Sequence, residues 1–454
     1  MITKIKNIIE NLFPKTIEIN SILESNLVIE TKTKKINSVN LNPRIYIISI
    51  GKAGINFAIY FYKFLKKLDI HPQKVIIITD KKYLINEDYK DSEVQNLEIQ
   101  DFETQDFEIL LSTHPELSLQ TIQNTQKIIE FLKENDSKDT SFIFLISGGG
   151  SSIFELPLIP EELTIEIYKY LLNLDIDIQQ MNTIRRFFSN VKSGKILQYI
   201  KKSQVISFIL SDVPFNELSS IASGITFLKK FSTQDLEFIS QTLKLLVDHY
   251  IIHQTLRKNF EIFKTIETQN ENLNNLNNFV LADNTFALKQ LEKLFTTQKF
   301  NVNSICSHLN LSQKKLAELI KGIILTNKDL KDKLYLLGGE TNLRVEKEGF
   351  GGRLQHLGLE ILKQIKILEN SKEIPNEKEI IFFGFSTDGI DGKTSKSGFI
   401  LSNKIKIEIE KIQKYLENYN SGLFFENPKY QKYSLALPPG INNLNEIYGI
   451  YFSN

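Results

Sequence analysis

Residues 142–157 read FIFLISGGGSSIFELP. An unbroken apolar run, rich in β-branched and aromatic residues, stops at a serine, three glycines and two more serines. With both faces apolar, Phe142–Ile146 reads as a buried strand of a parallel sheet. Glycines at the carboxyl end of such a strand let backbone N–H groups approach an anionic group with no Cβ in the way. Open α/β sheets bind their ligands at that edge. Ser147, Gly148, Gly149, Gly150 and Ser151, with Ser152, therefore form a candidate phosphate or carboxylate loop. The plain alternative is a tight strand-to-helix turn.

The same pattern recurs on either side. Arg44–Ile50 (RIYIISI) is a short apolar strand running straight into Gly51-Lys52 and the helix-patterned GINFAIYFYKFLKK. That order sets an ammonium group and a helix N-terminus at the same sheet edge. Lys74–Thr79 (KVIIIT) is a further strand, and the acidic stretch Asn86–Glu108 reads as a solvated excursion. Glu108–Ser112 leads to Thr113-His114-Pro115 and a helix from about Ser118 to Glu134. Strand and helix alternating in this way predict a right-handed, doubly wound, mostly parallel sheet.

Pro160–Leu172 patterns as helix. MNTIRRFFSNVKSGKILQYI then carries Arg185, Arg186, Lys192 and Lys195, a run that ordinarily lies on a solvated helix face. Another buried strand, Val205–Leu210, ends at Asp212 in SDVPFNELSSIASGIT. Phe231–Ile266 is helical, and the asparagine-rich Glu267–Asn278 marks a junction. The expected division is an N-terminal Rossmann-like α/β domain over 1–245, a helical and asparagine-rich connector over 246–276, and a C-terminal α/β domain over 277–454. The last opens with FVLADNTFALKQLEKLF, which contains Asn284, and continues through YLLGGETNLRV, EGFGGRLQHLGLEIL and EIIFFGFSTDGIDGKTSKSGF.

A chain of 454 residues, 41% hydrophobic and 24% charged, can bury sizeable cores and suits two domains. A formal net charge of +1 argues against a general electrostatic footprint for nucleic acid. The one cysteine, Cys306, excludes an intrachain disulfide framework and suits a reducing compartment. MITKIKNIIENLFPKT at the N-terminus patterns as an amphipathic surface helix rather than a signal peptide. No apolar run approaches the length of a membrane span. The expectation is a soluble, cytoplasmic protein with neither nucleic acid nor membrane as partner; a homodimer is left open.

The strand-end loops share one kind of chemistry. They are Gly51-Lys52, Ser147–Ser152, Asp212, Gly338-Gly339-Glu340, Gly351-Gly352-Arg353 and Thr387-Asp388-Gly389-Ile390-Asp391-Gly392. Phosphoryl transfer asks for this mixture of backbone donors, cations for developing charge, and carboxylates for a metal or a hydroxyl proton.

The series ISGGGSSIFELP, MNTIRRFFSNVKSGKI, SDVPFNELSSIASGIT, GGETNLRV, GFGGRLQH and STDGIDGKTSKSG resembles the glycerate 2-kinase family, whose C-terminal part is the MOFRL domain. The resemblance runs from about Gly51 to the C-terminus. It implies two α/β domains with the active site in the cleft between them. It also implies an ATP-dependent kinase that phosphorylates the C2 hydroxyl of D-glycerate with Mg²⁺, giving 2-phosphoglycerate and ADP. Lys52 and Arg353 match residues regarded as catalytic in the family, and Asp212 and Asp388 match aspartates lining the cleft. One of these two would orient Mg²⁺ or accept the hydroxyl proton, with Asp212 the candidate metal ligand. Nucleotide and phosphate contacts fall to Ser147, Gly148, Gly149, Gly150, Ser151, Asn284, Gly339, Glu340, Thr387 and Asp391.

The chain also departs from the family pattern. Phe215-Asn216 stands for Gly-Asp after SDVP, and Leu354-Gln355-His356 for Asn-Gln-Glu after Gly-Gly-Arg. Lys393 and Ser395 replace a proline and an aspartate, and Leu437-Pro438-Pro439-Gly440-Ile441-Asn442 replaces a Gly-Pro-Thr-Gly-Thr-Asn type of turn. These departures support one alternative, a catalytically weak homologue that binds a nucleotide or sugar acid. A hydroxypyruvate reductase is the other, opposed by the missing G-x-G-x-x-G spacing.

Three further features carry less. Gly392-Lys393-Thr394 resembles the end of a Walker A loop, but Thr387 occupies the place of its first glycine. His249 and His253 stand one helical turn apart with no third metal ligand evident. His114, in Thr-His-Pro, either shapes its turn or touches substrate.

Overall fold

Every residue of the strand Thr140–Ile146 is buried, as its two-sided apolar sequence requires. In the computed structural model this strand lies inside a six-stranded sheet. The strands are β1 (Arg44–Ile50), β2 (Lys74–Asp80), β3 (Phe107–Ser112), β4 (Thr140–Ile146), β5 (Gln204–Leu210) and β6 (Leu276–Ala282), in the order β3-β2-β1-β4-β5-β6. The pairs β3/β2, β2/β1, β1/β4 and β4/β5 are all parallel. Parallel neighbours need crossovers, and helices Gly54–Lys66 and Leu119–Glu134 supply two of them. Ser118 starts the second of these by accepting from the Thr121 N–H. Phe142 and Phe144 are fully buried, and each such side chain contributes about 1.5–3 kcal/mol through its removal from water.

This sheet belongs to a unit formed by residues 23–281. The structure describes all residues except 28, 31–34, 37–38, 84–105, 173, 175, 177, 245–246, 270–272, 274–275, 328–330, 376, 439–441 and 454. Most of the acidic excursion, part of the asparagine-rich junction, and Pro439-Gly440-Ile441 therefore lie outside the described residues. Helix His249–Gln269, placed in the connector by the sequence reading, packs within this unit through buried Ile262, Phe263 and Ile266.

Residues 1–22 and 282–454 form the second unit. Its six strands are β7 (Asn301–Ser312), β8 (Lys333–Asn342), β9 (Ile380–Ser386), β10 (Gly398–Ser402), β11 (Ser434–Leu435) and β12 (Glu446–Phe452), ordered β7-β8-β12-β9-β10-β11. Strand β12 runs antiparallel to both β8 and β9. The carboxyl ends of β8 and β9 and the amino end of β12 consequently share one edge. The N-terminal residues, grouped with the first domain by the sequence reading, pack here: Phe13 meets Phe385 edge-on at 5.5 Å, and Asn442 Nδ2 donates to Ile17 O at 2.6 Å. The apolar positions of MITKIKNIIENLFPKT are the buried ones, including Ile5, Ile8, Ile9 and Phe13. No helix among the described residues is long and apolar enough to cross a membrane.

Candidate active site

In the unit of residues 23–281 the strand order reverses between β1 and β4, and ligands of open α/β sheets bind where that happens. Two loops leave the sheet there. Gly51 follows β1 with φ +121°, and the Lys52 N–H donates to Gly148 O at 2.9 Å. The Ala53 N–H donates to Ser147 Oγ at 3.1 Å, and the Ser147 N–H to Ile50 O at 3.0 Å. These bonds lock the lysine loop onto the glycine-serine loop. Gly149 has φ +83°, and a Cβ there would come within 2.9 Å of Lys52 Cγ and 3.2 Å of His114 Cδ2. At Gly148 a Cβ would overlap the Asp212 carboxylate. Lys52, His114 and the half-buried Asp212 thus converge on Gly148-Gly149. Ser151 Oγ lies 2.8 Å from Ser223 Oγ, which in turn reaches Asn182 Oδ1 at 3.4 Å.

His114 is neutral at ordinary pH. Burial first, then the cations Lys52 and Lys82, push its imidazole down to about 4, against the opposing charge of Asp80. Its backbone is pinned, with its N–H on Asp80 Oδ2 at 2.6 Å and its carbonyl accepting from Lys82 Nζ at 2.6 Å.

The run MNTIRRFFSNVKSGKI does not form the solvated face that its charges suggest. Helix Ile178–Phe188 and the turn after it bury Arg185, Arg186, Lys192 and Lys195. Lys192 pairs with the fully buried Glu155, which also accepts from the Tyr168 hydroxyl at 2.6 Å. Lys195 Nζ donates to Arg186 O at 2.7 Å and to Asn259 Oδ1 at 2.6 Å, and burial pushes its pKa down. The departure at Phe215-Asn216 is visible in the backbone: both residues have positive φ, +60° and +54°, and Phe215 is 74% exposed. Phe215 therefore fills no internal space.

In the second unit, Arg353 opens helix Arg353–Asn370 at the edge shared by β8, β9 and β12. Its guanidinium meets Glu340 Oε1 through Nη1 at 2.8 Å and the buried Glu446 Oε1 through Nε at 2.5 Å. Burial by itself would lower the arginine's pKa, but the carboxylates of Glu446 and Glu340 outweigh it and raise it. Burial raises Glu446, with Arg353 opposing. Asp391 accepts from the Leu354 and Gln355 N–H groups at 3.0 and 2.8 Å, so it caps the arginine's helix. Burial lifts its carboxyl to about 7 despite those two donors. A Cβ at Gly352 would overlap this carboxylate, which is why a glycine precedes Arg353.

The remaining sequence candidates have defined places. The Thr387 hydroxyl donates to Asn445 O at 2.9 Å and accepts from the Leu444 N–H at 2.7 Å. Asp388 Oδ1 accepts from Ser386 Oγ at 2.6 Å and the Ile390 N–H at 3.1 Å. Buried Asn284 donates to Leu444 O and Glu446 O at 2.7 and 3.1 Å, and its Oδ1 lies where a Cβ on Gly338 would be. Gly339, at φ +148°, packs against the Leu309 backbone. Lys52, Ser147–Ser151 and Asp212 therefore come together in one unit; Glu340, Arg353, Thr387, Asp388, Asp391 and Asn284 cluster in the other. Glu446 was not among the sequence candidates, because nothing local distinguishes a glutamate at the start of an apolar strand.

A Rossmann-order sheet with a glycine-serine loop, lysine and aspartate at its switch point, joined to a second α/β unit with a carboxylate-held arginine, defines the class: a two-unit α/β enzyme. A family described as a domain of unknown function (DUF4147) matches residues 5–255, and the MOFRL family matches residues 333–445. The chain belongs to this DUF4147–MOFRL family, that of the glycerate 2-kinases. An uncharacterized protein of Caenorhabditis elegans is 31% identical, over 83% of this chain and 85% of that one. A glycerate 2-kinase of Sulfurisphaera tokodaii is 27% identical, over 83% of this chain and 82% of that one. A D-glycerate 2-kinase of Thermotoga maritima is 28% identical, over 83% and 84%. The crystal structure of a glycerate kinase from Thermotoga maritima shares the fold, with a TM-score of 0.75 over 99% of this chain and 98% of that chain at 22% identity.

Proposed function

We propose that this chain transfers the γ-phosphate of ATP to the C2 hydroxyl of D-glycerate, giving 2-phosphoglycerate and ADP. The observation that carries the reading is the convergence of Lys52, Asp212 and the Gly148-Gly149 backbone at the switch point of β1 and β4. In this reading the C2 oxygen attacks the γ-phosphorus, the bond to the β–γ bridging oxygen breaks, and the hydroxyl proton passes to an aspartate, Asp212 or Asp388. Lys52 and Arg353 neutralise charge that grows on the transferring group, the term on which phosphoryl transfer mostly depends. Arg353 is suited to such a task because Glu340 and Glu446 fix its fork before any ligand arrives.

Among the described residues no group of three or more His, Cys, Asp or Glu is placed to hold a metal ion. Mg²⁺ is usually held by one or two carboxylates together with substrate phosphates. Asp212 would be the protein's ligand, and the ion would supply charge neutralisation on the phosphates.

Incubating the protein with D-glycerate and either ATP·Mg²⁺ or NAD⁺ tests the reading directly. Consumption of ATP is the expected result; reduction of NAD⁺ to NADH, or turnover of neither, overturns it. Coupling the product to enolase, with and without phosphoglycerate mutase, then tests the position of transfer. Product visible to enolase only when the mutase is present would mean transfer to C3.

A further inference from the structure

Arg185 is a buried cation to which the mechanism above gives no work. It is 8% exposed, on helix Ile178–Phe188, with its guanidinium 5.3 Å from the Tyr168 ring centroid. Its Nε has no hydrogen-bond partner, and the ion pairs among the described residues give it no carboxylate. The buried carboxylate of that neighbourhood, Glu155, is engaged through Oε2 by Lys192 and the Tyr168 hydroxyl; its charge also acts on Arg185, but it is one carboxylate shared between two cations. A lysine so placed would shed its proton, but a guanidinium does not. The charge stays, and Arg185 and Lys192 around the single Glu155 carboxylate leave buried positive charge in excess, which is costly to desolvate. Such a cost is met when an anion completes the site.

The neighbours of Arg185 indicate where that anion sits. One helical turn earlier, Asn182 is linked through Ser223 to Ser151 of the glycine-serine loop. On the other side Arg185 acts on His114, whose ring flanks Gly149 together with Lys52. Arg185 also lines a small recess with Pro115, Glu116, Leu117, Ile165, Tyr168 and Lys169. Lys52 and His114 thus meet at Gly149, and the helix that carries Asn182 and Arg185 is tied to the same loop through Ser223 and Ser151. With the imidazole neutral, the positive charge there falls to Arg185 and Lys52.

We infer that Arg185 anchors the carboxylate of the acceptor, a small 2-hydroxy acid, by a bidentate guanidinium–carboxylate pair at the glycine-serine loop. The inference rests on the kinase reading and adds the residue that selects an acid over a neutral polyol. Guanidinium and carboxylate match as two parallel hydrogen bonds, which lysine does not reproduce.

Arg185→Met and Arg185→Lys test it, with D-glycerate and its neutral amide, D-glyceramide, as probes. Calorimetric titration without ATP and steady-state kinetics with ATP are both measured. Loss of a charge-assisted pair corresponds to roughly 10- to 150-fold weaker D-glycerate binding and a KM raised in proportion, with the KM for ATP unchanged. The preference for D-glycerate over D-glyceramide should collapse in the same variants, which a purely structural arginine would not cause. If Arg185→Met does not fold, the folded Arg185→Lys protein carries the test, because most of the volume remains while the bidentate fork is lost. Wild type that phosphorylates D-glycerate, with both KM and acid-over-amide preference unchanged in the folded variants, overturns the anchor and leaves the kinase reading standing. Wild type that neither binds nor phosphorylates D-glycerate overturns the kinase reading. Titration with glycolate, lactate and tartronate then decides the anchor: binding lost in the variants supports it, and no binding by wild type overturns it.

Discussion

Arg353→Met should separate what this arginine does for the fold from what it does for catalysis. The buried Glu446 carboxylate is held by Arg353 Nε at 2.5 Å, by the Thr341 N–H and hydroxyl at 3.1 Å each, and by the Tyr448 hydroxyl. Without the guanidinium, three donors remain but no cation. Removing one partner of a buried pair costs about 3–5 kcal/mol. Arg353 is itself 38% exposed, and Glu446 can escape by taking up a proton, so the lower figure, about 3 kcal/mol, is expected near neutral pH. Burial already raises the Glu446 pKa and Arg353 opposes it; in the variant it rises further. A carboxyl with a raised folded-state pKa keeps its proton where the unfolded chain has lost it. Stability then falls as pH climbs from the ordinary value of 4.5 through the raised one. The destabilisation should therefore be larger at about pH 8 than at about pH 5. Adding Glu446→Gln removes the stranded charge while keeping an acceptor for Thr341. The double variant should recover most of the stability and none of the turnover, which should stay down by on the order of 10² to 10³. Urea unfolding of both variants at both pH values, with turnover measured alongside, is the assay. An Arg353→Met protein as stable as wild type at the higher pH, or a double variant no more stable than the single one, refutes the reasoning.

Lys52→Ala should keep the fold, since the loop is held by backbone bonds to Gly148 and Ser147, and should lower turnover by on the order of 10² to 10³; a folded variant with wild-type turnover removes Lys52 from the mechanism. Phe215→Gly relieves a left-handed backbone that costs an L-residue about 1–2 kcal/mol, partly offset by the greater freedom of glycine when unfolded, so a gain of up to about 1 kcal/mol is expected in urea unfolding. With Asn216→Asp added, the half-saturating Mg²⁺ concentration should drop, because each carboxylate strengthens a divalent-cation site; an unchanged Mg²⁺ titration would deny this loop any part in metal binding. Asp391→Ala strips the cap from helix Arg353–Asn370 and should cost about 0.5–2 kcal/mol in the same assay; an unshifted midpoint would show that the cap contributes nothing.

Much of the candidate site was legible in the sequence. Strands β1, β2, β4 and β5 could be read from continuous apolar runs, and the loops after them from abrupt glycine, serine and aspartate. Burial on both faces writes itself into every consecutive residue, so the pattern is local. The parallel, doubly wound sheet and the meeting of Lys52 with the glycine-serine loop follow from that pattern and from strand order.

Other features belong to the tertiary structure. Arg353 is held by Glu446, 93 residues away, and its helix is capped by Asp391, whose carboxylate comes from 37 and 36 residues downstream of the amides it accepts from. Residues 1–22 join the C-terminal unit through Phe13 and Ile17, although amphipathic periodicity would serve them equally on any apolar face. Arg185, Arg186, Lys192 and Lys195 carry the signature of a solvated helix yet lie inside, around Glu155, Tyr168 and Asn259. A run of residues thus determined its own secondary structure and the polar groups it would present at a strand end. Which distant carboxylate, hydroxyl or apolar face would meet each of those groups was decided only by packing, because desolvation and pairing depend on neighbours that the local sequence does not contain.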